Sequence, residues 1–126
     1  MNISRNQVTL IGTVGKDPEV THHPNGTVIA KLPLATVESW KDKATGEWQE
    51  RTTWISLQCW GKFAEDMENE VRKGTRLYIE GKIVNDSWED ENKVKHYKTY
   101  VQISSYDLLA SRVKRGTSND NDMSRM

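Results

Sequence analysis

The chain has 126 residues, of which 35% are hydrophobic and 29% are charged. This length suits one domain with a real core and is too short for two. Eighteen Lys and Arg balance eighteen Asp and Glu, so the overall charge provides no long-range attraction to nucleic acid, membranes or acidic substrates. Cys59 is the one cysteine, which excludes an internal disulfide framework, and no stretch resembles a membrane span or a signal peptide. We therefore expect a soluble, cytoplasmic protein whose basic surface, where it has one, is local.

The first quarter of the chain predicts strands. Residues 7–14, QVTLIGTV, are rich in β-branched side chains, and Gly12 within them indicates a bulge or a bend. Further on, Pro24, Asn25 and Gly26 stand between two β-rich arms. Proline presets φ and Asn-Gly tolerates positive φ, so this tripeptide predicts a hairpin turn with a long strand after it.

The next stretch carries an unusual number of tryptophans. Residues 38–54 read ESWKDKATGEWQERTTW and contain Trp40, Trp48 and Trp54. The stretch is charged and rich in turn-forming residues, so it predicts a loop. A core could hardly form around all three rings in such a loop. Tryptophan has a large apolar surface that is unfavourable in water unless something flat covers it.

The sequence TWISLQCW that follows predicts a strand with two different faces. Side chains alternate across a strand, so Ile55, Leu57 and Cys59 point to one side, which we predict to be the core. The other side receives Trp54, Ser56, Gln58 and Trp60. It is mostly polar but carries a tryptophan at each end, about 20 Å apart at the rise of a strand. We expect an exposed sheet face with aromatic platforms.

One helix and two more strands complete the pattern. Residues 62–74 place Phe63, Ala64, Met67 and Val71 on one helical stripe, with Gly74 positioned to end the helix. The β-rich runs 75–84 and 96–106 follow, separated by the polar segment 85–95, which predicts a loop. Residues 111–126 have little to bury and predict a disordered tail.

Three strands, a helix and two strands in so short a chain predict an all-β fold. A five-stranded Greek-key barrel with one helix between strands 3 and 4, the OB-fold, has this order of elements. We assign it to residues 1–110 and leave 111–126 as the tail. The binding face and long loops of this fold commonly hold oligonucleotides.

Four stretches in this order and spacing resemble the bacterial single-stranded-DNA-binding protein family: GKDPEVTHHPNG, LATVESWKDKATGEWQERTTW, GKFAE and RKGTRLYIEGKI. The resemblance covers residues of about 5 to 106. It implies sequence-independent binding and protection of single-stranded DNA during replication, recombination and repair. It also implies a homotetramer, because the family pairs amino-terminal strands between subunits. A location at the nucleoid is implied as well.

The resemblance also implies which residues bind DNA. Trp40, Trp54, Trp60 and Trp88 match positions of base-stacking aromatics, and Lys43, Lys62, Lys73 and Arg5 match or lie near basic positions that accompany the DNA backbone. Trp48 is outside the family pattern and is either an extra platform or a loop anchor. Stacking on tryptophan contributes about 1–3 kcal/mol per base without regard to sequence, and lysines that neutralise phosphates release counterions. Relatives often carry basic residues just before the tryptophan that matches Trp88, whereas residues 84–91, VNDSWEDE, surround it here with acids. We expect fewer phosphate contacts in this segment.

Other functions have weaker support in the sequence. The histidines His22, His23 and His96 include no pair with Cys or His at zinc spacing, and Cys59 has no evident base partner. We therefore predict no enzyme activity, no metal and no cofactor. Two alternatives remain, namely a primosomal replication accessory of the same fold and an OB-fold RNA-binding protein. The end SNDNDMSRM lacks the acidic tip with which relatives recruit partner enzymes, so we expect this recruitment to be absent.

Overall fold

The computed structural model describes residues 3–109 and contains six strands and one helix. The elements are β1 Val8–Val14, β2 Glu19–His22, β3 Val28–Lys41, β4 Trp48–Trp60, α1 Lys62–Glu70, β5 Arg76–Glu89 and β6 Lys95–Leu109. The tail predicted for residues 111–126, and with it the expected absence of an acidic tip, lies outside the described residues.

Five of the strands form a closed barrel. They are hydrogen-bonded in the order β1-β5-β6-β4-β3, and β3 returns to pair with β1. β2 pairs with β3 outside this ring and forms the first arm of the predicted hairpin, in which Gly26 has a φ of 93°. The predicted all-β OB-fold is confirmed, because α1 stands between the third and fourth strands of the barrel.

The core fills the barrel and is closed by the helix. Its largest fully buried side chains include Leu34, Leu57 and Leu77 from the strands. The predicted helical stripe is confirmed for Ala64 and Met67, which are buried on α1. Val71 is buried as well, but it lies beyond the end of the helix. The fourth member of the stripe, Phe63, is half-exposed and packs its edge on Tyr106, with ring centroids 5.8 Å apart.

The helix is shorter than the sequence indicated. It ends at Glu70, because Val71 takes an extended conformation with φ −110° and inserts its side chain into the core. Gly74, which we expected to end the helix, instead has a φ of 93° in the turn before β5 and donates a backbone hydrogen bond to the carbonyl oxygen of Val14.

Two predicted loops are largely strand. β3 and β4 pair without interruption from Ile29 and Trp60 to Lys41 and Trp48, so only residues 42–47 lie outside the strands. β5 and β6 likewise pair as far as Glu89 and Lys95, which leaves residues 90–94 as the turn. The loops were predicted from the charged and turn-forming residues in these segments. Such residues are also tolerated in strands here, because both faces of a two-stranded arm are exposed. We call these hairpins the β3–β4 arm and the β5–β6 arm.

Gly12 lies where the barrel closes. The register of β1 on β5 is regular through Gly12, so the bulge considered from the sequence is absent. The glycine is needed because another strand comes very close. A Cβ at this position would overlap the carbonyl oxygen of Ala35 on β3 and would lie 2.9 Å from Cγ of Leu34.

Replacement of Gly12 by alanine should therefore destabilise the barrel. We expect Gly12→Ala to lower the free energy of unfolding by about 1–3 kcal/mol, the usual cost of overpacking. Thr21→Ala, an exposed position on β2 outside the barrel ring, is the control and should change it by less than about 0.5 kcal/mol. Urea denaturation followed by far-UV circular dichroism measures both, and equal midpoints for the two variants would contradict the assigned closure.

Candidate nucleic-acid interface

The alternation of β4 creates an exposed aromatic surface. Leu57 and Cys59 are completely buried, while Trp54 is 61% exposed and Trp60 is 37% exposed on the opposite side. The two predicted faces of this strand are therefore confirmed. We call the side of β3, β4, β5 and β6 that points away from the core the outer face. Burial raises the pKa of the Cys59 thiol to about 12, so this cysteine stays protonated inside the barrel.

The outer face continues across β6 to β5. β4 and β6 pair in parallel with Gln58 opposite Gln102, and the β5–β6 arm pairs regularly from there to Trp88 opposite His96. Directly paired residues share a face, and the face alternates along each strand. Trp88, which is 50% exposed, therefore shares the outer face with Trp54 and Trp60.

The β3–β4 arm divides the two remaining tryptophans between its sides. Its unbroken register places Trp48 opposite Lys41 and Trp40 opposite Gln49. Counting residues from Trp54 puts Trp48 on the outer face, whereas Trp40 lies on the other side of the arm. Trp48 is 70% exposed and Trp40 is 43% exposed. The sequence indicated a group of platforms, and the structure shows that one of them faces the opposite way.

Two of these rings rest on protein groups. The guanidinium of Arg51 lies 5.9 Å from the centre of the Trp40 ring, in reach of a cation–π interaction. The Trp54 ring lies against Gly15, where an added Cβ would overlap its Cζ3 atom. Each ring is thus held in place from one side, and its other side remains exposed, where a flat ligand could stack.

Trp88 is held by a histidine that the sequence analysis did not select. The rings of Trp88 and His96 are stacked, with centroids 5.4 Å apart and planes 21° from parallel. His96 Nε2 lies 2.8 Å from Asp90 Oδ2. This hydrogen bond, followed by those from the backbone N–H groups of Val94 and Asn92, lowers the pKa of Asp90 below its usual value. The interaction therefore stabilises the turn at pH values above the ordinary carboxyl pKa and is lost as the pH falls through the lowered one.

The basic residues selected from the sequence lie at separate places around the outer face. Lys43 is exposed in the turn of the β3–β4 arm, near Trp48. Lys62 follows Trp60 and places Nζ 3.0 Å from Asp66 on α1. The backbone N–H of Lys73 donates to Asp17. Arg5 lies in a pocket together with Lys82 and Gln102. The structure does not gather the four into one cluster.

Three lysines that the sequence analysis missed line one groove on the outer face. We call it the central groove; its volume is about 280 Å³, and Ser56 and Gln58 of β4 form part of its lining. Lys16, Lys31 and Lys98 line it as well. Lys31 could have been found, because it falls on the outer side of β3, but Lys98 reaches this position only through the parallel pairing of β6 with β4.

The residues around the groove correct two expectations. Gln58 was predicted to be exposed but is only 8% exposed, although it does lie on the outer face. Tyrosines within strands are expected to be structural, and this holds for Tyr100, which is buried and whose pKa is raised by that burial and by the nearby Asp86. Tyr97, in contrast, is 72% exposed, with Lys95 Nζ 5.9 Å from its ring centre.

The acids around Trp88 are divided by the pairing of the β5–β6 arm. Asp86 stands opposite Lys98 and shares the outer face with Trp88, while Ser87 stands opposite Tyr97 on the other side. The negative charge of Asp86 is thus placed beside a lysine. A reduced number of phosphate contacts near Trp88 stays a prediction.

Among residues 3–109, no group of three or more His, Cys, Asp or Glu side chains could hold a metal ion. No helix within the same residues is long and apolar enough to cross a membrane.

Comparison with known proteins agrees with the geometry. A model described as the single-strand binding protein family matches residues 5–109. Among solved structures, the chain is similar to the Plasmodium falciparum SSB in complex with ssDNA, with 29% identity and a TM-score of 0.75 over 87% of this chain and 100% of that one. It is also similar to a deletion mutant of the single-stranded DNA binding protein from Thermus aquaticus, with 29% identity and a TM-score of 0.73 over 86% of this chain. The match spans 52% of the Thermus chain.

The stacked histidine leads to a prediction that needs no ligand. In a protein whose other four tryptophans are replaced by phenylalanine, acrylamide should reach the Trp88 ring mainly from its open side. His96→Ala should uncover the second side and raise the Stern–Volmer quenching constant by up to about twofold, because the accessible ring area increases.

His96→Phe is the matched control, since it keeps a flat ring but removes the hydrogen bond to Asp90. It should leave the quenching constant near that of the parent. An unchanged constant in His96→Ala would show that His96 does not cover the Trp88 ring in solution. Circular dichroism of each variant checks that the barrel remains folded.

Proposed function

The chain belongs to the single-strand binding protein family, and on this premise we propose that it binds single-stranded DNA without regard to sequence. The proposal extends to protection of the strand during replication, recombination and repair in the cytoplasm, in association with the nucleoid. The observation that supports it best is the outer face, on which Trp54, Trp60 and Trp88 are all exposed. A single strand presents base faces that a duplex hides, and stacking them on tryptophan is independent of sequence.

The aromatic residues have the leading role in this function. Trp54 and Trp60 stand six residues apart on β4, about 20 Å at the rise of a strand, so bases on both rings belong to one extended segment. Trp88 adds a platform on the neighbouring arm, and Trp48 adds one near the turn of the β3–β4 arm. Trp40 faces the other way, so a strand that uses all five rings has to pass around the β3–β4 arm. Wrapping of this kind suits a protein that protects a strand.

Basic residues contribute phosphate contacts around this path. We assign the contacts near the turn of the β3–β4 arm to Lys43 and those beside Trp60 to Lys62, whose ion pair with Asp66 is largely exposed and therefore weak. We propose the same role for Lys73, in the turn before β5, and for Arg5, which shares a pocket with Lys82 and Gln102. No step in this function requires bond-breaking chemistry, a metal or a cofactor.

The protein acts as a homo-oligomer, and we propose a homotetramer. Only Thr13 and Val14 of β1 pair with β3, so no strand within residues 3–109 covers the edge formed by residues 8–12, where a partner strand could pair. Ile11 on this strand is 50% exposed. An open edge with an exposed apolar residue favours pairing with another chain.

A fluorescence titration tests the binding proposal. Oligo(dT) at low salt should strongly quench the tryptophan emission, since most of the five rings would be covered, and duplex DNA should quench it weakly. Trp54→Ala should weaken binding by about 1–3 kcal/mol. Phe63→Ala, a half-exposed aromatic on α1, is the control and should leave affinity unchanged.

The same titration separates the proposal from its alternatives. An emission that oligo(dT) leaves unchanged would contradict stacking on these rings. Tighter binding of an RNA oligomer of equal length would favour the RNA-binding alternative over the proposed one.

Light scattering tests the oligomeric state. At micromolar concentration we expect four times the 14.5 kDa mass of one chain. Ile11→Lys should lower the measured mass, because a charge would be buried in the strand pairing without a partner. A monomer mass for the unmodified protein would reject the tetramer.

A further inference from the structure

The central groove lies between the two tryptophans of β4. Ser56 and Gln58, which help to line it, are the outer-face residues between Trp54 and Trp60. A strand that stacks bases on both rings therefore passes over this groove, within reach of the phosphates that connect those bases.

Gln58 is in an unusual environment for a side-chain amide. The residue is 92% buried, more than any other Asn, Gln, Ser, Thr, His or charged residue among residues 3–109, and its amide makes no side-chain hydrogen bond to any of them. Buried polar groups are nearly always hydrogen-bonded to protein, to water or to an ion, so an acceptor is expected beside this amide. The amide borders the groove, which is the open space next to it. A ligand with acceptor oxygens would satisfy its N–H groups.

The charges around the groove fit an anion. Lys16, Lys31 and Lys98 line it, and within residues 3–109 none of the three forms an ion pair. Lys98 is half-buried, and its Nζ lies 5.8 Å from the ring centre of the buried Tyr100. This contact restricts the position of the Lys98 ammonium group, whereas the ammonium group of a lysine in open solvent moves freely.

Two acids also line the groove and must be considered. Asp17 accepts a hydrogen bond from the backbone N–H of Lys73 at 2.8 Å, so one of its oxygens is occupied. Glu19 stands opposite Lys31 in the pairing of β2 with β3, without an ion pair between them. Asp86 also stands opposite Lys98 on the β5–β6 arm, without an ion pair between them. The three ammonium groups are thus near three carboxylates, so the groove is close to neutral, and the reason to expect an anion is the group of donors without ion-pair partners: the three lysines and the buried amide.

We propose that the central groove is a phosphodiester-binding site in which Lys31 and Lys98 neutralise the phosphate and the Gln58 amide donates a hydrogen bond to it. Lys16 provides a third positive charge at the rim. The site rests on the proposed binding of single-stranded DNA and names the phosphate contact between the two β4 platforms. None of these four residues was expected from the sequence to take part in binding.

The first test changes Gln58 to methionine, which has a similar shape and no hydrogen-bond donor. Gln58→Met should weaken oligo(dT) binding about tenfold, because a hydrogen bond to a charged group is lost. Without DNA, the variant should be as stable as the parent or more stable, because an unpaired buried amide has been removed. If Gln58 only supported the fold, Gln58→Met would lower the stability of the protein and leave the affinity for oligo(dT) unchanged.

The second test compares two lysines of β6 that face opposite sides of the arm. Lys98→Gln should make the slope of log affinity against log salt shallower by about 0.7, the value for one phosphate contact on a single strand. Lys95→Gln removes the same charge three residues away, on the side of Tyr97, and should leave the slope unchanged. Lys31→Gln should behave like Lys98→Gln.

The outcomes distinguish this site from the general function. Failure of the unmodified protein to bind oligo(dT) would reject the proposed function itself. Normal binding by the unmodified protein, together with equal slopes for Lys98→Gln and Lys95→Gln and unchanged affinity of Gln58→Met, would reject the phosphodiester site and leave the function in place.

Discussion

The burial of Leu57 and Cys59 inside the barrel is the constraint on which the interface depends. Side chains of a strand alternate between two faces. A shift of one residue in the register of β4 would therefore expose Leu57 and Cys59 to solvent and turn Trp54 and Trp60 into the core. Thirteen consecutive pairs with β3 hold that register. The parallel pairing with β6 then transfers the same face to the β5–β6 arm, which is why Trp88 arrives beside residues more than 25 positions away in sequence.

Features that depend on local pattern could be predicted from the sequence. The Pro-Asn-Gly turn, the two faces of β4 and the helical contact of Ala64 and Met67 follow from periodicities of two and 3.6 residues and from turn chemistry. The family resemblance was also visible, because its motifs are contiguous. In contrast, the ends of β3 and β5 were misjudged, since their outer halves form arms without a core and the hydrophobic pattern fades there.

The rest of the site depends on which strands become neighbours. Gln58 lies on the polar side of an alternating strand. Nothing in that pattern indicates that the outer face is covered at this residue. His96 stacks on Trp88 because a short turn brings them opposite each other. The direction of Trp40 could be read only once the register of the whole arm was known. These are properties of pairing, and one sequence does not encode them in any short segment.

Three of the five tryptophans are supported from one side, which explains how these exposed rings can bind without large reorganisation. Arg51 covers part of Trp40, Gly15 lies under Trp54, and His96 stacks on Trp88. A ring that is already held in position loses less conformational freedom when a base stacks on it, which leaves more of the stacking energy for affinity. The neutral overall charge fits the same logic. With eighteen positive and eighteen negative side chains, long-range attraction is small, so affinity has to come from short-range contacts at rings that are already in place and from a few lysines near them.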